Sequence, residues 1–134
     1  MNFGVSTSYF KLEIEGIECS EIREIRGFDL FSPDSEKARN NHSRTYTTEM
    51  TLTRKFTDLG FFNWLNNNKM THEVTKKNGK LSFITPDNEE IISFKLEGLF
   101  PLVWHGPSLM KGTNWGPDQA TEEVILAVEK ISQV

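Results

Sequence analysis

The sequence predicts a mainly β protein, an antiparallel β-barrel or β-sandwich of about six or seven strands with one flanking α-helix. Apolar and polar residues alternate with period two along most of the chain, which is the pattern of half-buried antiparallel strands. Turn-forming residues separate these runs. One segment, 58–67, instead spaces its apolar residues as a helix does. With 134 residues, we expect a single domain, 1–134, that buries roughly two thirds of the surface its unfolded chain exposes.

The first half of the chain contains three candidate strands. In 9–16, apolar residues at every second position alternate with charged residues, and Gly16 ends the run. Residues 22–28 predict a second, weaker strand. Residues 44–55 alternate again and are rich in threonine, which favours strands. Between the second and third strands, 31–43 has almost no apolar residues, so we expect an exposed loop with room for one helical turn.

The single convincing helix is predicted over 58–67, capped by Thr57 or Asp58. Its apolar stripe consists of Phe61, Trp64 and Leu65. So short a helix is marginal in water, and it must therefore pack this stripe on the sheet. We expect Trp64 in the core. The asparagines 66–68 predict the end of the helix, because asparagine tolerates the left-handed backbone conformation found there.

A hairpin is predicted at Asn78-Gly79, between strands 70–77 and 80–85. These two strands are rich in lysine and weakly apolar, which is typical of a protected sheet edge. Pro86-Asp87-Asn88 predicts the next turn.

The last third of the chain begins with a core strand, 91–98, which continues extended but kinked at Pro101. Gly-Pro pairs at 106–107 and 116–117 then predict turns. The closing segment 121–131 is predicted as a strand because it is rich in β-branched residues. A helix is the alternative there, since the segment also contains good helix formers.

Charge and composition argue against several functions. The net charge is −4, whereas capture of nucleic acid needs clustered lysine and arginine. The small cluster of Lys76, Lys77 and Lys80 is expected to be solvated. The single cysteine, Cys19, excludes an intramolecular disulfide, and we expect it to be a small strand residue and not a nucleophile.

Catalytic and metal-binding patterns are missing from the sequence. His42, His72 and His105 lie in separate segments without ligand spacing. The acidic pairs 89–90 and 122–123 are adjacent in sequence and point to opposite faces of a strand. We therefore predict no catalytic residues, no metal and no cofactor, and we expect that the protein is not an enzyme.

The N-terminus has neither a basic region nor a long apolar region, so no secretory signal is predicted and we expect synthesis in the cytoplasm. The longest largely apolar run, 99–104, is far shorter than the ~20 residues of a membrane-spanning helix.

Three blocks in a fixed order resemble the phage tail tube protein family, the inner-tube subunits of contractile phage tails and related injection systems. The first block, 10–30, is similar to that family's opening strand, glycine turn and second strand. The second, 50–67, is similar to its Leu-x-Arg strand followed by a Thr-Asp capped helix with a tryptophan. The third, 94–109, with the closing strand 121–131, is similar to its Phe-Pro-x-x-Trp segment and final strand.

This resemblance implies a subunit that forms six-fold rings, which stack into a hollow tube inside a sheath above a baseplate and spike. DNA or effector cargo would pass through the channel without specific binding, and the final location would be a phage tail or injection particle. Ring closure needs a heterologous interface, in which one patch docks on a different patch of the next copy. We expect open edges at the threonine-rich and closing strands to pair between neighbouring copies.

Two sets of residues are candidates for the subunit interface. Trp104, Pro107 and Trp115 either form interface surface or cap the barrel core. The charged loop 31–43, which contains Glu36, Lys37 and Arg39, is expected to contact the next ring, the alternative being a free solvated loop.

Two other functions stay open. A small intracellular β-barrel that binds an apolar ligand would line a cavity with its inward-facing positions instead of filling a core. An enzyme would need a deep polar pocket with convergent histidine and acidic side chains.

Overall fold

The computed structural model describes residues 9–30, 48–108 and 120–134. These residues form six β-strands and one α-helix, which confirms the predicted mainly β class. In chain order the elements are β1 (Phe10–Ile14), β2 (Ile22–Arg26), β3 (Thr48–Lys55), α1 (Gly60–Thr71), β4 (Lys77–Ile84), β5 (Glu90–His105) and β6 (Thr121–Gln133). The loop predicted over 31–43 and the turn predicted at 116–117 lie outside the described residues.

All six strands belong to one antiparallel sheet in the order β1-β4-β5-β6-β3-β2. The sheet is strongly curled. Phe28, just after β2, packs edge-on against Phe94 of β5 with ring centroids 5.5 Å apart, although β6 and β3 separate these two strands in the sheet. Neighbouring strands in a flat sheet are about 4.8 Å apart, so this contact requires curvature. Phe83 of β4 also packs against Phe94, at 6.2 Å.

The edges of the sheet are β1 and β2. The prediction that the threonine-rich and closing strands are edges is wrong, because β3 lies between β6 and β2, and β6 lies between β5 and β3. The burial of side chains on β3 and β6 explains why these two strands lie inside the sheet. Met50 and Leu52 of β3 are fully buried, and β6 buries Ala127 on one face as well as Val128 on the other. Strands apolar to this degree are stable in the interior of the sheet, where both neighbours shield them.

The predicted hairpin at Asn78-Gly79 is wrong. One strand, β4, runs through both residues, and α1 covers the start of the predicted preceding strand. A Cβ at Gly79 would lie 2.5 Å from the Glu13 carbonyl oxygen and 2.9 Å from Leu99 Cδ1. Glycine is therefore present because β1 and β5 approach closely, not because the chain turns. Since β4 pairs with both of those strands, it is not an edge.

Helix α1 begins at Gly60, two residues after the predicted start, and it also ends later than predicted. The N-cap is Leu59, not the predicted Thr57 or Asp58, and it makes no side-chain capping hydrogen bond. Asp58, one residue earlier, does accept a hydrogen bond from the Gly60 backbone N–H at 2.8 Å. The helix continues past the asparagines 66–68 and ends at Thr71, and the next residue, His72, adopts the left-handed conformation with φ 58°.

Tertiary contacts explain this longer helix. Asn68 is buried, and its Oδ1 accepts the Thr75 backbone N–H at 3.0 Å. Trp64 is 5% exposed and donates from Nε1 to the Thr75 carbonyl oxygen at 2.7 Å. The prediction that Trp64 belongs to the core is confirmed, and these two bonds hold the segment after the helix against it.

The C-terminal half of the sheet follows the sequence patterns closely. The long strand β5 contains the predicted kink as a register shift against β6 between Pro101 and Val103. A turn at Pro86-Asp87 joins β4 to β5, with Asn88 at φ 67°. The closing segment is a strand and not a helix.

One apolar core joins the sheet to α1. Its buried members are Leu12, Ile14, Met50, Leu52, Phe61, Trp64, Leu81, Leu96, Leu99, Val124, Leu126 and Val128.

Candidate functional site

A buried ionic network lies where β3, β6 and the start of α1 meet. Arg54 follows Met50 and Leu52 on the inward face of β3 and is fully buried. Its Nη2 donates to Glu122 Oε2 at 2.9 Å and to Asp58 Oδ1 at 3.0 Å, and its Nη1 donates to the Glu18 carbonyl oxygen at 2.7 Å. One guanidinium therefore connects the closing strand, the helix entry and the turn between β1 and β2.

The protonation of this network follows from its contacts. Burial alone lowers the pKa of Arg54, but hydrogen bonds to Asp58 and Glu122 outweigh it and raise the pKa above the ordinary arginine value. Burial also disfavours the charged form of Asp58, which by itself raises the pKa of this carboxyl group. The hydrogen bond from the Gly60 N–H and the Arg54 guanidinium outweigh this effect and hold the pKa below that of an ordinary aspartate. The Arg54 guanidinium also lies 4.9 Å from the centre of the Phe61 ring, a favourable cation–π distance.

Trp104 connects this network to the outer side of the helix. Its Nε1 donates to Glu122 Oε1 at 3.0 Å, and its ring packs against Phe62 at 5.1 Å and Phe56 at 6.1 Å between centroids. The side chain is half-buried. These contacts are those of a residue that caps the core, and its exposed part leaves surface for a partner, so an interface role stays a prediction.

The remaining predicted interface residues fall in two groups. Pro107 is half-buried just beyond β5. Trp115, Glu36, Lys37 and Arg39 lie outside the described residues.

Sequence reasoning missed the pairing of Arg54 with Glu122. Both residues occupy inward positions of otherwise apolar alternations, Arg54 after Leu52 and Glu122 before Val124. A positive charge on one inward face and a negative charge on another are the signal that would have predicted a buried ion pair. The prediction that the acids 122–123 point to opposite faces agrees with burial, since Glu122 is 1% exposed and Glu123 is half-buried.

The described residues show neither an activated thiol nor a metal-binding cluster. Burial raises the pKa of the Cys19 thiol to about 11, so the thiol is protonated near neutral pH. In the parts of the chain that the structure describes, no three histidine, cysteine or acidic side chains come together as a metal-binding group. No helix in those parts is long and apolar enough to cross a membrane.

Within the described residues, β1 and β2 each pair with a single neighbouring strand. The edges β1 and β2 face each other across a cleft of about 650 Å³. The described residues thus define a class of β-rich protein, a curled antiparallel sheet with one flanking helix and an ionic network that connects the two.

The family follows from sequence comparison. The model of the T4-like virus tail tube protein gp19 family matches residues 6–132. The chain belongs to this family, and its function is that of a tail tube protein. Tail tube proteins of this kind are parts of phage tails or injection particles. No curated protein sequence matches the chain.

Solved structures share its fold. A chain of the sheath–tube complex of the PVC extracellular contractile injection system, in its extended state, superposes with a TM-score of 0.72 at 16% identity, covering 97% of this chain and 90% of that chain. The sheath/tube terminator of the same system gives 0.69 at 19% identity, covering 99% and 98%. Hcp1 from Flavobacterium johnsoniae gives 0.62 at 18% identity, covering 93% and 94%.

Proposed function

We propose that the chain is the repeating subunit of the inner tube of a contractile phage tail or injection system. Six copies form a ring, rings stack into a hollow tube within a sheath, and DNA or effector cargo passes through without specific binding. The observation that carries this proposal is the family match over 6–132, which includes all six strands and the helix almost entirely.

The geometry supports such a role in two ways. A closed ring needs a heterologous interface between two different patches, and each subunit offers two different strand edges, β1 and β2. A tube that is driven forward by a sheath must also keep its subunit shape under load. The Arg54 network joins helix and sheet at this junction through directional hydrogen bonds from one buried guanidinium to β6, the helix entry and the turn after β1.

The role is structural and not enzymatic in this proposal. The Cys19 thiol is protonated, and the carboxylates of Asp58 and Glu122 are bonded to Arg54. These groups therefore contribute to the fold. The contacts between copies are proposed to include Trp104, Pro107 and Trp115, and the contacts between rings to include the charged segment 31–43 with Glu36, Lys37 and Arg39.

Electron microscopy and sedimentation of the purified full-length chain test the proposal. We expect hexameric rings, or tubes built from them, at high protein concentration. A strictly monomeric species under every condition of concentration and salt would contradict it. Co-expression with a sheath protein encoded beside it gives a second test, since a tube subunit should be recovered inside the sheath.

A further inference from the structure

The pair Asn78-Gly79 is the one Asn-Gly sequence in the chain, and it lies inside β4 and not at a turn. Asparagine is a chemically labile residue. It deamidates most readily when glycine follows, because glycine has no side chain to hinder attack on the asparagine amide or to restrict the backbone. Asn78 is exposed, so water reaches its side chain.

The reaction needs only water and hydroxide. Hydroxide removes the proton of the Gly79 backbone nitrogen, which attacks the side-chain carbon Cγ of Asn78. A bond forms between this nitrogen and Cγ, the bond from Cγ to the amide nitrogen breaks, and the amide leaves as ammonia with a proton from water. Water then opens the succinimide ring at either carbonyl. The products are aspartate with a normal backbone and isoaspartate, whose backbone runs through the side chain and is one methylene longer.

Hydrogen bonds hold Asn78 in the extended conformation of β4. Its N–H donates to Glu15 Oε1 at 2.6 Å, and its carbonyl oxygen accepts the Glu15 N–H at 3.1 Å. Its Oδ1 accepts the Gly98 N–H at 3.4 Å. Ring closure turns the Asn78 ψ angle far from the value of about +135° that an antiparallel strand requires, and so it breaks the carbonyl bond to Glu15. The strand therefore has to open locally before Gly79 can attack.

The product with the longer backbone does not fit the fold. Gly79 lies between β1 and β5, where a single added Cβ would lie 2.5 Å from the Glu13 carbonyl oxygen and 2.9 Å from Leu99 Cδ1. An extra backbone methylene just before Gly79 also shifts the rest of β4 out of register with both neighbouring strands. Aspartate with a normal backbone keeps the register, and its carboxylate can still accept the Gly98 N–H.

We propose that Asn78 is a deamidation site that the folded chain keeps closed, and that a chain with isoaspartate at this position no longer forms the native sheet. The glycine that lets β1 and β5 approach β4 is also the residue that makes Asn78 reactive whenever the strand opens. Folding therefore protects the site, whereas a chain that stays unfolded is altered there and lost to folding. The contacts that carry this proposal lie within one chain, so it goes beyond the proposed tube function.

Peptide mapping by mass spectrometry measures the reaction. The native chain and the chain unfolded in guanidinium chloride are incubated in parallel at pH 8.5, and aspartate and isoaspartate at position 78 are quantified over time. We expect Asn78 to react faster than every other asparagine in the unfolded chain, and at least tenfold more slowly in the native chain than in the unfolded one. Equal rates at Asn78 in the two states, or a faster asparagine elsewhere in the unfolded chain, would overturn the proposal.

A pair of variants tests whether the contacts of Asn78 close the site. Glu15→Ala removes the carboxylate that accepts the Asn78 N–H, and it should speed deamidation of the native chain about fivefold, the factor that corresponds to the net free energy of one hydrogen bond. Glu13→Ala is the matched control, because Glu13 is an exposed residue of β1 whose carboxylate pairs with Lys11. Denaturant unfolding checks that the two variants are equally stable. Equal rates of deamidation in them would overturn the assigned protection.

Refolding tests the exclusion of the longer product. The chain is partly deamidated in denaturant and diluted to refold, and the folded and unfolded fractions are separated by size-exclusion chromatography. Isoaspartate at position 78 should be at least tenfold enriched in the unfolded fraction, whereas aspartate should be present in both. Isoaspartate in the folded fraction at its starting proportion would overturn the proposal.

Two variants at position 78 serve as controls for refolding. Asn78→Asp carries the charge of the product on a normal backbone and should fold. Asn78→Gln cannot form the five-membered ring, so its refolding yield should fall less after incubation in denaturant than that of the unmodified chain. An equal fall would show that other damage prevents folding and would contradict the proposal. If Asn78→Gln does not fold, the distribution of isoaspartate between the fractions of the unmodified chain decides the question.

Discussion

Arg54 and Glu122 face each other across β3 and β6, with Nη2 and Oε2 2.9 Å apart and both side chains 1% exposed. Charges buried to this extent lose their hydration, and only close pairing offsets that cost. Asp58 supplies a second carboxylate from the helix entry. The pair therefore fixes the closing strand to its neighbour and, through Asp58, to α1.

Replacing Glu122 by glutamine should weaken the fold substantially. The change keeps the shape of the side chain but leaves the buried guanidinium with Asp58 as its single acidic partner, so the free energy of unfolding should fall by about 3 kcal/mol. Denaturant unfolding of dispersed subunits measures this. The matched control is Glu123→Gln, whose partner Arg26 lies at the surface with side chains 54% and 40% exposed, and which should cost less than about 1 kcal/mol. Equal losses for the two variants would contradict the assigned burial.

A double replacement should recover part of this loss. In Arg54→Met with Glu122→Leu, neither position leaves the other as an unpaired buried charge. Asp58, the Glu18 carbonyl oxygen and Trp104 Nε1 still each lose a hydrogen-bond partner, so the recovery is partial. We expect the double variant to be more stable than either single variant, with a coupling of about 2 kcal/mol or more in a double-mutant cycle. Additive losses in denaturant midpoints would show that the two side chains act independently.

Stability should fall at acid pH partly through Asp58. Because its pKa is lower in the folded protein than in an ordinary aspartate, its contribution is fully present above about pH 4 and is lost as the pH falls through the folded value. Asp58→Asn should flatten this acid limb while leaving the stability at pH 7 lower than that of the unmodified chain. Unfolding curves between pH 2 and pH 7 provide the measurement, and an unchanged acid limb would contradict the prediction.

Adding a methyl group at Gly79 should disrupt the contact between β1, β4 and β5. The new Cβ would lie 2.5 Å from the Glu13 carbonyl oxygen, so Gly79→Ala should cost about 1–3 kcal/mol or more through forced strand separation. Gly16→Ala is the comparison. Its Cβ would be 3.5 Å from the nearest atom, Lys77 Nζ, but its φ of +70° should cost about 1–2 kcal/mol by backbone strain. A smaller loss at Gly79 than at Gly16 would argue against the close approach.

Local patterns predicted several elements correctly because neighbouring residues suffice to define them. The alternation in β1 places Leu12 and Ile14 inward, and the structure buries both. The helix start depends on Asp58 and the helical spacing of Phe61 and Trp64, all within a few residues. These features depend on backbone periodicity, which is present in the sequence whatever the rest of the chain does.

Distant contacts overruled the local signals elsewhere. Asn78-Gly79 is a strong hairpin pattern, but the glycine is used where β1 passes close to β4. The asparagines 66–68 would end an isolated helix, but Asn68 is buried and bonded to the backbone after the helix. At Gly79 the contact is with distant strands, and at Asn68 it is with the backbone that follows the helix. In both cases a contact outside the local pattern outweighs the local preference.

By itself, the sequence determined the mainly β class, the position of the one helix, the strand character of the closing segment and the family resemblance that the family match confirms. Only the tertiary structure decided the order of the described strands, and so which of them lie at the edges of the sheet, and that Arg54 and Glu122 form a buried pair. The physical reason is the distance along the sequence over which each effect acts. Periodicity and capping act within a few residues, whereas strand order and charge burial depend on which distant segments meet when the sheet curls around its core.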